Sequence, residues 1–302
     1  MESTLEQKKV SLQWEYICCN ICGRDDTAVY HKETVEHFGQ ELDFQIVRCR
    51  HCQLVYTNPR LSEHNATYLY DNSSDEQFQA HGQAKMVVFK PAITEIKNFL
   101  NKNPSNENKL LDIGCGSGHF MQLAQNNGFD VTGIEPAETS AHYARNIMNM
   151  PVICDDMKNV QLPHESFDAI TLWDVIEHVS DPRAVLEQVN KWLKPGGIVA
   201  LRFPSATWQK IKGIVLQRLL HSKRPSFGPT MHLYFFNEDT FTTIANKAGL
   251  EVVKVKSTSN ETNANSSLIN RIKSVSNYVM ASYEKISGKH PGNLEIYCRK
   301  PL

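Results

Sequence analysis

The 302-residue chain has no long apolar run and no excess of charge of either sign. Without about eighteen consecutive apolar residues, no transmembrane helix is expected. Its 32 basic and 33 acidic residues nearly cancel, which argues against a protein whose whole surface grips nucleic acid. The opening run MESTLEQKKVSLQWEY lacks the apolar core and small-residue cleavage site of a secretory signal. We therefore expect a cytoplasmic protein, in which thiols stay reduced.

Cysteine is scarce outside one short region. Five of the eight cysteines fall within residues 18–52, and the other three are scattered through the rest of the chain. In a reducing compartment, such clustering indicates metal ligation rather than a disulfide framework.

Four of these cysteines form two pairs, Cys19-x-x-Cys22 and Cys49-x-x-Cys52, with 26 residues between the pairs. Four thiolates at this spacing predict a tetrahedral, structural Zn²⁺ site with no open position for catalysis. Cys18 competes with Cys19, but only Cys19 gives the usual gap of two residues before the next cysteine. A segment this small has too little core to fold on its own, so the metal should supply folding energy.

The pattern of apolar residues divides the chain into three parts. Residues 1–60 hold the cysteines and form a small zinc-ribbon-like module, and residues 61–108 form a polar linker and a helix. From residue 109 to 302, short apolar runs alternate with helical patterns, which is typical of a doubly wound, mostly parallel α/β sheet. Two segments, 206–228 and 257–292, interrupt this alternation as insertions.

Seven strands and three helices are predicted in these parts. Asp181 is suited to cap the second helix and Pro182 to begin it, and Asn237 precedes the third helix. The strands are predicted at 109–113, 129–134, 151–154, 167–173, 198–203, 251–255 and 293–298. The helices are predicted at 83–100, with an interruption at Pro91, at 182–193 and at 238–247.

A glycine-rich turn follows the first of these strands. Asp112 ends the strand, and Gly114, Gly116 and Gly118 lead into a helix. Glycines at such a turn let the backbone approach a ligand closely, and the helix N-terminus offers unpaired N–H donors. The dinucleotide-binding pattern G-x-G-x-x-G would require glycine at 119, where His119 stands.

The spacing D-x-G-x-G-x-G resembles the first motif of class I S-adenosylmethionine-dependent methyltransferases, and the resemblance extends over residues 80–302. The run from Ser166 to Pro182 is similar to that family's fourth-strand motif, and the run from Leu193 to Ile198 is similar to the approach to its fifth strand. This resemblance implies a seven-stranded Rossmann-like sheet, S-adenosylmethionine as cofactor and methyl transfer as the reaction.

The resemblance also implies which residues bind the cofactor. Glu135 matches the acidic residue that holds the ribose hydroxyls, and Asp156 with Met157 matches the pair that meets the adenine. Asp155 stands where glycine is commoner, so this pair could shift by one position. Trp173 is either a cofactor contact or a core residue. The predicted cofactor-binding residues are Asp112, Gly114, Cys115, Gly116, Gly118, Glu135, Pro136, Asp156, Met157 and Trp173.

Candidate catalytic residues follow the strands whose carboxyl ends should meet the acceptor. Asp174 and His178 come after the fourth strand, and His232 comes after the first insertion. Each could remove a proton from the acceptor. For the two histidines, the alternative is a hydrogen-bonded side chain that shapes the pocket.

The insertion 206–228 carries basic residues and no acidic residue. Its apolar residues recur at helical spacing, so a basic amphipathic helix is predicted. Such a helix is either a lid packed on the core, or a surface that recognises a phosphate-bearing acceptor or makes peripheral contact with a membrane. The basic residues are Lys210, Lys212, Arg218, Lys223 and Arg224.

Zinc knuckles ahead of such a domain resemble enzymes that modify sugars, polysaccharide precursors and secondary metabolites. They also resemble a family of ribosomal-RNA guanine methyltransferases. We expect methylation of a small molecule or of a glycan or nucleotide-sugar precursor; the alternatives are an RNA methyltransferase and a non-catalytic cofactor-binding protein. The near-neutral charge and the absence of a basic-aromatic run in the module oppose a nucleic-acid partner. The intact Asp112, glycine turn and Glu135 oppose a non-catalytic protein.

Overall fold

The computed structural model describes residues 12–37, 40–62, 75–100, 108–210, 227–258, 290 and 292–302. These residues form a seven-stranded sheet, a four-stranded sheet and a two-stranded ribbon, with helices packed on the larger sheet. Within them, no helix combines the length and apolar composition of a membrane span.

The strands and helices are numbered in chain order. The strands are β1 (Trp14–Glu15), β2 (Thr27–His37), β3 (Gln40–Cys49), β4 (Val55–Thr57), β5 (Arg60–Leu61), β6 (Asn108–Ile113), β7 (Phe129–Ile134), β8 (Val152–Ile153), β9 (Phe167–Trp173), β10 (Leu193–Pro204), β11 (Tyr234–Phe235), β12 (Glu251–Thr258) and β13 (Asn293–Arg299). The helices are α1 (Asp75–Leu100), α2 (His119–Asn126), α3 (Glu138–Asn146), α4 (Pro182–Trp192) and α5 (Glu238–Lys247).

The seven-stranded sheet has the order β12-β13-β10-β9-β6-β7-β8. Strands β6 to β10 pair in parallel, and β13 runs antiparallel to both of its neighbours. The predicted doubly wound, mostly parallel sheet of seven strands is therefore confirmed. Three strands differ clearly in length from the prediction, and one of them, β12, continues to Thr258. Strand β8 is only two residues long, and β10 begins at Leu193 because that residue already pairs with Phe167 before a register shift.

Local chemistry explains where two of the helices begin. The side chain of Asp181 accepts a hydrogen bond from the N–H of Ala184 at the start of α4. At the start of α5, the Asn237 side chain accepts from the Thr240 N–H, and the Thr240 hydroxyl oxygen accepts from the Asn237 N–H. Both starts are where the sequence predicts them.

Helix α1 begins earlier than predicted and continues through Pro91, where the sequence predicts an interruption. A proline inside a helix removes one hydrogen bond and costs about 3 kcal/mol. Phe89, Ile93 and Ile96 on the same helix are each at least 95% buried. Burial of side chains of this size contributes about 1.5–3 kcal/mol each, which outweighs the cost of the proline.

The two faces of the seven-stranded sheet pack against separate apolar clusters. Along β10, Ile198 and Ala200 face one cluster, and Val199 and Leu201 face the other. The second cluster also contains Cys19, Ile21, Val47, Cys49 and Tyr56 of the N-terminal module. The module and one face of the sheet therefore share a single core.

The four-stranded sheet of the module has the order β11-β4-β3-β2. One edge strand of this sheet, β11, comes from a distant part of the chain. It pairs antiparallel with β4, with Tyr234 opposite Tyr56. The N–H of Thr57 donates to the carbonyl of Leu233, and the Thr57 hydroxyl donates to the carbonyl of His232. These contacts fix the module to the segment that follows the first insertion.

Most of both insertions lies outside the described residues, which leave out 211–226 and 259–289. Of the predicted basic helix, residues 206–210 are described and helical. The ammonium group of Lys210 lies 4.8 Å from the centre of the Tyr30 ring of β2. Lys212, Arg218, Lys223 and Arg224 fall among the residues left out.

Candidate functional site

The predicted cofactor residues gather at the edge of the sheet where parallel strands β6, β7 and β9 end. Parallel strands end side by side, so residues that follow different strands become neighbours. Asp112 lies opposite Gly133 of β7 and Thr171 of β9 in the sheet register. Glu135 follows β7 directly, and Trp173 is the last residue of β9.

The glycine turn requires its glycines for two different reasons. Gly114 has φ +66°, and a Cβ atom there would lie 2.5 Å from a methyl carbon of Val175, which is too close. Gly116 has φ +52°, but a Cβ there would meet no heavy atom of the described chain within 4 Å. The turn is thus held tightly on one side and is open at Gly116, where a ligand can approach the backbone.

Glu135 is held in place by backbone donors from both sides. Its Oε2 accepts from the Gly116 N–H at 2.8 Å, and its Oε1 accepts from the Ala137 N–H at 2.9 Å. Burial raises the pKa of this carboxyl group, and the two N–H donors counteract that rise. Since each carboxylate oxygen can accept a second hydrogen bond, both remain able to receive a pair of vicinal hydroxyls.

Asp112 is buried beneath the same turn and is 1% exposed. Its Oδ1 accepts from the Thr171 hydroxyl at 2.6 Å, which joins β6 to β9. Desolvation raises its pKa to about 7, although the Thr171 hydroxyl and the charge of Lys85 act in the opposite direction. Lys85 could not be recognised as a site residue from the sequence, because its place beside this edge depends on how α1 packs.

Asp174, predicted as a candidate base, is held between two cations. The Arg202 guanidinium donates to both of its oxygens, at 3.2 and 3.0 Å, and the ammonium of Lys85 lies 3.0 Å from Oδ2. Desolvation would raise its pKa, but Lys85 and Arg202 outweigh that effect and hold the pKa below its usual value. A carboxylate stabilised in its charged form is a weak proton acceptor, so the structure argues against Asp174 as the base and for a positioning role.

Trp173 packs in an aromatic cluster with Phe89 and Phe120, whose ring centres lie 5.8 and 5.0 Å from its own. This is the packing expected of a core residue. Its indole Nε1, however, is buried and has no hydrogen-bond partner in the described part of the chain. The same is true of Nε1 of Trp192 in the core, so the contacts of Trp173 are those of a core residue and a cofactor contact stays a prediction.

The remaining predicted cofactor residues lie on the loops around this edge. Cys115 is buried in the glycine turn, and Pro136 is exposed immediately after Glu135. Met157 is 9% exposed after β8, beside the partly exposed Asp156. The alternative residue, Asp155, accepts from the Asp156 N–H and the Asn159 side chain, and Asp156 accepts from the Lys158 N–H at 3.0 Å. Both carboxylates make contacts typical of a turn, so the pairing of Asp156 with Met157 at the adenine stays a prediction.

The two candidate histidines lie together at the neighbouring part of the edge. The ring centres of His178 and His232 are 4.8 Å apart. The carboxyl group of Glu177 lies beside them, with Oε1 3.8 Å from Nε2 of His178. Glu177 was not among the predicted site residues, although its place next to His178 in the sequence was a signal that could have been used.

The four paired cysteines also come together, and Cys18 does not join them. The sulfurs of Cys19 and Cys52 lie 3.3 Å apart, and those of Cys22 and Cys49 lie 3.5 Å apart. All four sulfurs lie within 4.8 Å of one another. Sulfurs about 2.3 Å from a tetrahedral Zn²⁺ ion stand about 3.8 Å apart, so this arrangement fits the ion. The side chain of Cys18 is exposed.

The two cysteine turns share a backbone feature that supports this fit. The residue after each pair, Gly23 and Gln53, has positive φ, of 74° and 64°. In both turns its N–H donates to the carbonyl of the first cysteine, Cys19 or Cys49. Burial raises the pKa of the Cys19 thiol, so a nearby cation is what would stabilise a thiolate there.

The sheet order, the single antiparallel strand and the glycine turn beside Glu135 together define the class I methyltransferase fold. The methyltransferase-domain family matches residues 84–255, more than half of the chain, and the protein belongs to that family.

Comparison with known proteins agrees with this fold. The chain is 32% identical over 105 residues to the ubiquinone biosynthesis O-methyltransferase of Rhodopseudomonas palustris, a match covering 33% of this chain and 42% of the relative. It is 36% identical over 96 residues to the same enzyme of Idiomarina loihiensis, covering 30% and 39%. The chain thus spans less than half of these relatives' length. A solved S-adenosylmethionine-dependent methyltransferase from Mesorhizobium loti superimposes with a TM-score of 0.50 at 17% identity, over 73% of this chain and 99% of that one.

The first prediction concerns Glu135. Replacement by alanine removes a charged partner for the ribose, and affinity for S-adenosylhomocysteine should fall by about 1.5–3 kcal/mol, about ten- to a hundredfold. Titration calorimetry measures this. Glu138→Ala is the matched control, since Glu138 is exposed at the start of α3 and should leave the affinity unchanged. Equal affinity of Glu135→Ala and wild type would contradict the assignment.

The second prediction concerns the cysteine site, which we propose holds zinc. Metal analysis of the purified protein should find about one equivalent of zinc, and Cys49→Ser should lose it, because three thiolates hold the ion less tightly than four. Cys18→Ser is the control and should retain the metal. Loss of zinc in Cys18→Ser together with its retention in Cys19→Ser would show that the ligand set is wrong.

Proposed function

We propose that the protein is an S-adenosylmethionine-dependent methyltransferase acting on a small polar acceptor. The observation that carries this proposal is the placement of two groups at one edge of the sheet. One group is the open glycine turn with its anchored carboxylate, Glu135. The other is the pair of histidines that follows β9 and precedes β11. Cofactor and acceptor must meet at a single point for methyl transfer, and this edge offers a place for each.

The residues around Glu135 fit the cofactor. Glu135 would accept from the two ribose hydroxyls, and the Gly116 region would lie against the amino-acid part of the molecule. Lys85, which is 16% exposed in its side chain and already pairs with Asp174, is a cation within reach of a carboxylate at this edge. S-adenosylmethionine, when bound, supplies a methyl group on a positively charged sulfur.

The histidines fit the acceptor side. The acceptor's lone pair forms the new bond to the methyl carbon as the carbon–sulfur bond breaks, and the acceptor loses one proton. Both imidazole rings are partly buried, which excludes bulk water from the reacting atoms. Burial lowers the pKa of His178, so its ring is neutral at pH 7 and able to take up or pass on that proton.

A cavity of about 510 Å³ lies between the N-terminal module and the residues that follow His178, but neither histidine and no predicted cofactor residue lines it. Its polar lining groups already pair with one another, since Arg60 donates to Glu15 and to the Tyr234 hydroxyl. The proposal of a small acceptor therefore does not depend on this cavity. The relatives' name, O-methyltransferase, supports an oxygen atom as the acceptor.

The basic insertion adds a finer proposal about the acceptor. The insertion 206–228 has five cationic residues and no acidic residue, and its described end lies between β10 and β11. Such a segment favours an acceptor with a phosphate group, as in a nucleotide-sugar precursor. Its peripheral contact with a membrane and the protein's cytoplasmic location stay predictions.

The third prediction tests the acceptor class. With methyl-labelled S-adenosylmethionine, label should appear in the low-molecular-weight fraction of an extract of the source organism and stay absent from its RNA. His232→Asn should lower this transfer at least tenfold, because a positioned proton acceptor contributes about a hundredfold or more. Its affinity for S-adenosylhomocysteine should not change.

His164→Asn is the control, since His164 is exposed on a loop away from the sheet edge and should transfer label as wild type does. Labelled RNA without labelled small molecules would contradict the proposed substrate class. Unchanged transfer by His232→Asn would contradict the role of the histidine pair.

A further inference from the structure

Glu177 is a buried carboxylate without the partners that such a group requires. Its side chain is 2% exposed, and neither oxygen accepts a hydrogen bond from any described residue. The contact with His178 Nε2, at 3.8 Å, is too long for a hydrogen bond. Burying a carboxylate in this way costs free energy unless a cation or a proton compensates it.

Other buried carboxylates of this chain are satisfied. Glu135 accepts from two backbone N–H groups, and Glu295 pairs with Lys256 and with the Tyr297 hydroxyl. Asp112 accepts from Thr171. Among the described residues, Glu177 therefore differs from the other buried acids, whether they are predicted to bind the cofactor or stabilise the fold, in lacking a hydrogen-bond donor.

Backbone carbonyls orient the two neighbouring histidines. Nδ1 of His178 lies 2.9 Å from the carbonyl oxygen of Met231, which only accepts, so this Nδ1 carries the proton and Nε2 carries a lone pair. Nδ1 of His232 lies 3.0 Å from the carbonyl oxygen of Phe227 and 3.3 Å from the amide nitrogen of Gln209, and the shorter contact, with the carbonyl, favours the same tautomer. Histidines that bind metals are oriented in this way, with the other ring nitrogen donating to a backbone carbonyl.

The three side chains also have the spacing of a metal site. One ligand atom from each of Glu177, His178 and His232 lies within 4.8 Å of the other two. Ligand atoms about 2.1 Å from a tetrahedral ion stand about 3.4 Å apart, so small side-chain rotations close the site. The backbone already joins the two segments, because the Glu177 carbonyl accepts from the N–H groups of Leu233 and Tyr234.

We propose that Glu177, His178 and His232 bind a divalent transition-metal ion, separate from the zinc at the cysteines. Two imidazoles and one carboxylate suit Zn²⁺, Co²⁺, Ni²⁺ or Fe²⁺, and three protein ligands leave positions open for an exogenous oxygen. This inference rests on the proposed function in one respect, since the exogenous oxygen would be that of the acceptor. With the ion bound, Nε2 of each ring would be a ligand and neither histidine would be the base; the ion would instead polarise an acceptor hydroxyl and favour the loss of its proton to solvent.

Cobalt binding to the zinc-loaded full chain tests this site without cofactor or acceptor. With the cysteine site filled by one equivalent of zinc, Co²⁺ should bind as one further equivalent. Its visible absorption should lack the thiolate charge-transfer band that a cysteine site would give. Glu177→Gln, which keeps the shape of the side chain, and His232→Asn should each weaken this binding at least tenfold. His164→Asn, on an exposed loop, should bind cobalt as wild type does.

Two results would overturn the site: no second equivalent in the wild-type protein, or a second equivalent that both Glu177→Gln and His232→Asn retain. Circular dichroism identifies a variant that fails to fold. Cobalt binding by the other variant then tests the site. The proposed function fails by a different observation, the absence of S-adenosylhomocysteine binding to wild type. Methyl transfer that persists in zinc-loaded protein without the second metal equivalent would overturn the part of the ion in the reaction while leaving the methyltransferase intact.

Discussion

The carbonyl oxygen of Glu177 accepts two hydrogen bonds, from the N–H of Leu233 at 2.8 Å and from that of Tyr234 at 3.2 Å. Through them, the segment after β9 is joined to the strand that completes the four-stranded sheet of the module. The same connection brings His178 and His232 together, although more than fifty residues separate them in sequence. The acceptor side of the proposed site and the attachment of the module thus depend on one backbone arrangement.

The cysteine turns are coupled to this arrangement by side chains. Asn20 lies between Cys19 and Cys22. Its side chain donates to Asp181 at 2.8 Å and accepts from the Arg183 N–H at 3.0 Å, so it caps the start of α4 together with Asp181. Lys247 at the end of α5 donates to the carbonyl of Ile21 at 2.8 Å. A metal that organises the turn would therefore also fix the start of α4, which follows His178 closely in the chain.

Sequence reasoning was most informative where a local pattern determines the structure. Strands β6, β7 and β9, the cap at Asp181 and the glycine turn depend on residues close together in the chain, and they lie where the pattern predicts. Pro91 is an exception, because burial of the neighbouring side chains of α1 overrides the local preference of proline. Contacts between distant segments determine the ion pair of Lys85, the pairing of β11 with β4 and, among the described residues, the lack of a hydrogen-bond donor to Glu177. No local pattern contains that information.

The protonation state of Asp174 also depends on contacts that no local sequence pattern contains. Its position after β9 suggests a base, but its protonation state depends on Arg202 of β10 and Lys85 of α1. The sequence shows that a carboxylate stands at the edge of the sheet, whereas only the packed structure shows that two cations hold it in its charged form. Its left-handed backbone, with φ +57°, is likewise fixed from outside, by the hydrogen bond from its N–H to the Arg202 carbonyl.

We propose that one edge of the sheet holds cofactor and acceptor on its two sides, and a crystal structure with S-adenosylhomocysteine would show whether it does. We expect ribose hydroxyls within hydrogen-bonding distance of both Glu135 oxygens, the adenine beside Asp156 and Met157, and the sulfur directed toward His178 and His232. A ligand whose ribose does not contact Glu135, or whose sulfur points away from the histidines, would contradict this arrangement.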